Sequence, residues 1–117
     1  MKQEDANGFG KIFENLSLEL RRGTVVLSVL SQLQTPQYGY SLVEQLRDRG
    51  IPVEAGTLYP LLRRMESQGL LESTWETDGS KPRKYYGLTG AGLRMLKLLS
   101  QEWQSVTKAM IGLLKEE

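Results

Sequence analysis

Residues 55–71, Ala55-Gly56-Thr57-Leu58-Tyr59-Pro60-Leu61-Leu62-Arg63-Arg64-Met65-Glu66-Ser67-Gln68-Gly69-Leu70-Leu71, decide how the chain folds. Leu58, Leu61, Leu62 and Met65 stand at relative positions 0, 3, 4 and 7, the spacing of one face of an α-helix. The spacing predicts a helix from about Ala55 to Gln68, terminated by Gly69. Its outward side holds Thr57, Pro60, Arg64 and Ser67, with Tyr59 and Arg63 towards the flanks.

The apolar face of that helix needs cover, and the preceding sequence offers it. Tyr38-Gly39-Tyr40-Ser41 opens a short helix with Leu42, Val43 and Leu46 on one side, ended by Gly50 as a left-handed cap residue. Ile51-Pro52-Val53 is an extended link to the next helix. Further upstream, Val25, Val26, Val29, Leu30 and Leu33 predict a first core helix from about Glu19 to Gln34. It stops before Thr35-Pro36, because proline biases its predecessor away from helical dihedrals. Phe9, Ile12, Phe13, Leu16 and Leu20 recur at intervals of three and four and suit a short amphipathic helix or ordered arm.

Downstream, Leu70–Glu76 and Arg83–Leu88 are β-prone runs around a turn at Asp78-Gly79-Ser80-Lys81-Pro82, which predicts a hairpin. Thr89 then caps a long helix to about Lys115. In that helix Leu96, Leu99, Trp103, Val106, Met110 and Leu113 are separated by 3, 4, 3, 4 and 3 residues, the seam of helix-to-helix packing. Helix, helix, helix, hairpin, helix is the order of a winged helix-turn-helix: two short helices cover the third while the hairpin folds along its flank. The fold class is therefore mainly α with a two-stranded β-wing, extended by a long C-terminal dimerisation helix.

A length of 117 residues with 39% hydrophobic and 25% charged side chains accommodates one compact domain. The chain has no Cys and no His, which removes thiol and imidazole nucleophiles, general bases and metal ligands. Its acids are scattered over predicted helix surfaces, so no enzymatic site, metal site or cofactor is expected. No apolar run approaches the roughly 18 residues that span a bilayer, so no membrane partner and a cytoplasmic location are expected. Net charge is only +1, and any case for nucleic acid must come from local clustering.

Two clusters make that case. Arg63 and Arg64 share the exposed side of the 55–68 helix, where arginine can bond bidentately to guanine or phosphate; the plainer alternative is a solvated helix face. Lys81, Arg83 and Lys84 sit beside Tyr85 and Tyr86 at the hairpin tip and can lie along a phosphate backbone or minor groove. The plainer alternative there is a charged tip that resists edge pairing. Glu72, Glu76 and Asp78 share the hairpin and weaken the electrostatic case; strand alternation answers this in part, since the two faces of a strand can hold opposite charges.

Gly56-Thr57-Leu58-Tyr59-Pro60-Leu61-Leu62-Arg63-Arg64-Met65-Glu66, followed by Gly69-Leu70-Leu71, resembles the recognition-helix signature of PadR-type transcriptional regulators. The resemblance extends to Leu20–Leu33, Tyr38-Gly39-Tyr40, Arg83-Lys84-Tyr85-Tyr86 and Leu88-Thr89 with Gly92, covering roughly Glu19 to Trp103. It implies a winged-helix repressor of the short form, with a single C-terminal dimerisation helix. The implied DNA contacts are Tyr40, Ser41, Thr57, Tyr59, Arg63 and Arg64, with Lys81, Arg83 and Lys84 on the backbone.

This chain departs from the family pattern at three places. Glu54-Ala55 replaces a common Ser-Pro, giving the reading helix a weaker start and an anion that suits the helix dipole but repels phosphate. Tyr38 stands where His is common, keeping a ring and removing a titratable switch. Gly87 stands where a larger, often basic residue is usual, which weakens any DNA role for that strand position.

Leu99, Trp103, Val106, Met110 and Leu113 are expected to form a homodimer interface, because they run along a helix too far to reach the small core. The 9–16 arm offers a second apolar surface. Regulators that look like this one can hold flat aromatic or lipophilic effectors between subunits, which makes Trp103 a candidate effector contact. The expected partners are a double-stranded DNA operator, a second copy of the chain and such an effector. The expected organisation is an arm at 1–18, the winged helix-turn-helix at 19–88 and the dimerisation helix at 89–117. The alternative is a winged-helix protein-interaction adaptor that does not read DNA sequence.

Overall fold

The computed structural model describes residues 8–79 and 81–115; the first residues of the amino-terminal arm, and Ser80 of the expected hairpin turn, lie outside them. In chain order the elements are α1 (Phe9–Arg22), α2 (Val25–Gln32), β1 (Gln37–Tyr38), α3 (Gly39–Asp48), α4 (Ala55–Ser67), β2 (Leu71–Glu76), β3 (Arg83–Leu88) and α5 (Gly90–Lys115). The strands form one antiparallel sheet in the order β1-β3-β2.

The core is mainly aliphatic, built from Val29, Leu30, Leu33, Leu42, Leu46, Leu58, Leu61, Leu62, Met65 and Leu71 with the ring of Tyr86, and has Val53 at its edge. All four residues of the predicted α4 stripe belong to it. Helix ends follow their local signals. Gly50 and Gly69 have φ of 91° and 81°. The six-to-one bonds Ile51 N–H to Leu46 O (2.8 Å) and Leu70 N–H to Met65 O (3.0 Å) close Schellman caps over α3 and α4. Thr89 caps α5: its hydroxyl oxygen accepts the Gly92 amide at 3.0 Å and donates to Gly69 O at 2.7 Å.

The expected single helix from Glu19 to Gln34 is two helices. Glycine at 23 is a poor helix former, and the Thr24 hydroxyl turns back to Arg21 O at 2.7 Å beside the Thr24 amide, which bonds the same carbonyl at 2.9 Å. That turn ends α1, and α2 begins afresh at Val25. Strand β1 was not foreseen. Its two residues pair with β3, Gln37 opposite Tyr86 and Tyr38 opposite Tyr85, and tie the start of α3 to the wing.

α1 buries no residue, and the distal half of α5 is exposed. The radius of gyration of 17.6 Å exceeds the roughly 13 Å expected of a compact chain of this length, because these helices stand out from the core.

Where α5 starts, an added Cβ at Gly92 would sit 2.1 Å from the Leu70 backbone oxygen and 3.3 Å from Leu88. Backbone cannot give way as a side chain can, so α5 must lift from the hairpin. Gly92→Ala is expected to destabilise the fold by about 1–3 kcal/mol, the range for overpacking, seen as a lower urea midpoint. An unchanged midpoint would show that this contact is loose.

Candidate nucleic-acid interface

α4 presents the candidate reading surface. With Leu58, Leu61, Leu62 and Met65 buried, Thr57, Arg63 and Arg64 are left exposed on one helix. Glu54 is the N-cap and its side chain makes no capping bond, as its replacement of a Ser-type cap implied. Pro60 lies inside α4 and removes a donor for the Gly56 carbonyl; both residues are exposed, so water can satisfy that oxygen.

Tyr59 is placed differently from the arginines. It is half-buried and packs on the core, and an added Cβ on Gly39 would meet its ring at 2.4 Å. Gly39 thus lets the first turn of α3 lie against α4. That brings α3's Tyr40, which is 64% exposed, to the same part of the molecule. Ser41 is half-buried and donates to Gln37 Oε1 at 3.1 Å.

The wing does not carry its cations as one cluster. Strand register puts Arg83, Tyr85, Glu72, Thr74 and Glu76 on one face of the hairpin, and Lys84, Tyr86, Ser73 and Trp75 on the other. Alternation separates Lys84 from the acids but not Arg83, since Glu76 stands directly opposite Arg83. Lys84 reaches back to α4. Its ammonium lies 3.5 Å from Glu66 Oε1 and over the rings of Tyr86 (5.4 Å) and Trp75 (5.8 Å). The Ser73 hydroxyl donates to the other Glu66 oxygen, so Glu66, Ser73 and Lys84 brace the wing against α4. Lys81 and Arg83 are exposed.

On the opposite face Tyr38 and Tyr85 stack with centroids 4.1 Å apart and planes inclined by 19°. The Arg83 guanidinium carbon lies 4.2 Å from the Tyr38 ring centroid, and the Tyr38 hydroxyl donates to Glu76. Hydrogen bonding to Glu76, with the adjoining Tyr85 phenol adding to it, raises the Tyr38 pKa well above the ordinary tyrosine value. The phenol therefore remains a donor across the physiological range. The sequence marked Tyr38 only as a ring without a titratable switch. Its partners Glu76 and Tyr85, and the bracing Glu66, were missed because they depend on strand register.

On α5 Leu99 packs at the edge of its own core, whereas Trp103 (48% exposed), Val106, Met110 and Leu113 stand in the open. Trp103, Gln104, Thr107, Lys108 and Ile111 line a shallow groove of about 300 Å³. Among the described residues no helix is long and apolar enough to cross a membrane.

Residues 26–98 match the family model described as transcriptional regulator PadR-like. The chain is 30% identical over 95 residues to the transcriptional regulator Rv3488 of Mycobacterium tuberculosis, covering 80% of this chain and 89% of that protein. A PadR family transcriptional regulator from Eggerthella lenta has a similar crystal structure, with a TM-score of 0.89, 53% identity, and coverage of 93% of this chain and 97% of that one. A PadR-like regulator from Bacillus cereus follows with a TM-score of 0.75, 32% identity, and coverage of 85% and 99%.

Proposed function

The chain belongs to the PadR-like family of transcriptional regulators, which are DNA-binding proteins, and from that premise we propose that it is a homodimeric repressor of a pseudo-palindromic operator. Family membership removes the ground for the adaptor alternative. The observation that carries the reading is the exposed face of α4, where Thr57, Arg63 and Arg64 stand clear of a stripe buried in the core. In the proposed complex each α4 enters a major groove, with Arg63 and Arg64 on base edges or phosphates. Thr57 and Tyr59, with Tyr40 and Ser41 from α3, supply hydroxyls to the backbone. Lys81 and Arg83 touch flanking phosphates directly. Lys84 contributes through its brace to Glu66 and through the field it adds at the wing.

Leu99, Trp103, Val106, Met110 and Leu113 join the two copies, with α1 as a second apolar surface; the exposure of Trp103, Val106, Met110 and Leu113 in the single chain supports this, and Leu99 continues the same seam from the edge of the core. Residues 19–88 are then the DNA-binding unit, 89–117 the dimerisation helix and 1–18 the arm. The groove beside Trp103 suits a flat lipophilic effector held between copies. Such an effector relieves repression by favouring a spacing of the two α4 helices that does not fit the operator.

Mobility shifts on the protein's own upstream region at defined salt test the reading. An arginine that reads a base is expected to cost about 1–3 kcal/mol on substitution and to relax sequence preference, for Arg63→Ala or Arg64→Ala. Lys81→Ala is expected to weaken all sequences alike and flatten the salt slope. Unchanged binding by both arginine variants would overturn the assignment of α4.

A further inference from the structure

Tyr38, Glu76, Arg83 and Tyr85 share the sheet face opposite the one that buries Leu71 and Tyr86. Tyr38 is fixed twice, by its stack on Tyr85 and by its hydroxyl on Glu76, and the guanidinium of Arg83 lies over its ring. Among the described residues Arg83 makes no ion pair, so its N–H donors are not committed to a carboxylate while its guanidinium sits over the Tyr38 ring. A free arginine surrenders rotamer entropy on docking; one already laid on a ring surrenders less.

We propose that Tyr38 is a positioning residue for DNA binding, its clamped ring serving as the platform that presents Arg83 edge-on to a backbone phosphate. The proposal rests on the reading that the wing meets DNA. It gives the two-residue strand β1 a purpose: β1 sets Tyr38 opposite Tyr85 and so couples the first turn of α3 to the phosphate-gripping arginine. Tyr38→Phe keeps the ring and loses only the tether to Glu76, whereas Tyr38→Leu loses the platform.

Fluorescence anisotropy on a duplex from the upstream region, run across a salt series with melting curves as a control, tests the proposal. Arg83→Ala is expected to weaken binding and to lower the salt slope by about 0.9, one phosphate contact. Tyr38→Leu is expected to weaken binding by about twofold to fivefold, the worth of an exposed cation–π contact, and Tyr38→Phe much less. The double variant Tyr38→Leu with Arg83→Ala is expected to bind no more weakly than Arg83→Ala alone. Equal further loss in the double variant, or a silent Tyr38→Leu beside a damaging Arg83→Ala, overturns the platform and leaves the wing reading standing. A silent Arg83→Ala overturns the wing reading and the proposal with it. If Tyr38→Leu fails to fold, Tyr85→Leu decides: it removes the stack that fixes the Tyr38 ring and leaves Arg83 in place, so wild-type affinity overturns the platform and a loss of similar size supports it.

Discussion

Leu62→Ala is expected to lower the unfolding free energy by about 2–5 kcal/mol, the range for leucine truncation in a close-packed interior. Leu62 is fully buried among aliphatic neighbours from α2, α3 and α4, and a domain of this size has only about 5–15 kcal/mol to lose. The measurement is urea unfolding at matched protein concentration, since dimerisation makes apparent stability depend on concentration. Leu62 faces away from the exposed side of α4, so the folded variant is expected to bind its operator almost as tightly as wild type. A loss below about 1 kcal/mol would mean that the packing around α4 is looser than its complete burial indicates.

Met110→Asp is expected to abolish the dimer without unfolding the chain. In the single chain Met110 is 41% exposed, so the carboxylate is solvated and α5 persists. In the proposed seam the same charge is desolvated, and two-fold symmetry imposes it twice; an unpaired buried charge costs about 3–5 kcal/mol. Two linked reading heads gain roughly a hundredfold to ten-thousandfold over one, so operator affinity is expected to fall by that order with each α4 intact. Sedimentation equilibrium reads the mass directly. A variant that stays dimeric would move the interface off this stretch of α5, leaving α1 as the apolar surface to account for it.

What the sequence disclosed about the fold is what depends on neighbours a few residues apart. The stripe Leu58-Leu61-Leu62-Met65, the left-handed Gly50 and Gly69 and the Thr89 cap are each written within one or two turns of helix, and each lies where its spacing predicts. The break at Gly23-Thr24 was also local. There an apolar period running to both sides concealed a turn decided by one hydroxyl on the Arg21 carbonyl.

The wing was legible as a hairpin and not as a surface. Three cations close together in sequence suggest one basic patch, yet register sends Lys84 to Glu66 and Arg83 to the opposite face beside Glu76. Tyr38 comes next to Tyr85 only through a two-residue strand, too short to leave a period. For α4 the sequence identified which residues are exposed; Tyr59, expected towards a flank, is half-buried there, and Gly39 leaves room for its ring.

In the proposed complex two copies read one stretch of DNA through α4. Native mass spectrometry of the full chain with a duplex from its own upstream region, beside a duplex of scrambled sequence, tests it most directly. Two chains per upstream duplex, with the complex weakened by Arg63→Ala and Arg64→Ala and absent on the scrambled duplex at matched salt, is the predicted result. One chain per duplex, or equal occupancy of both duplexes by wild type and variants, would contradict it.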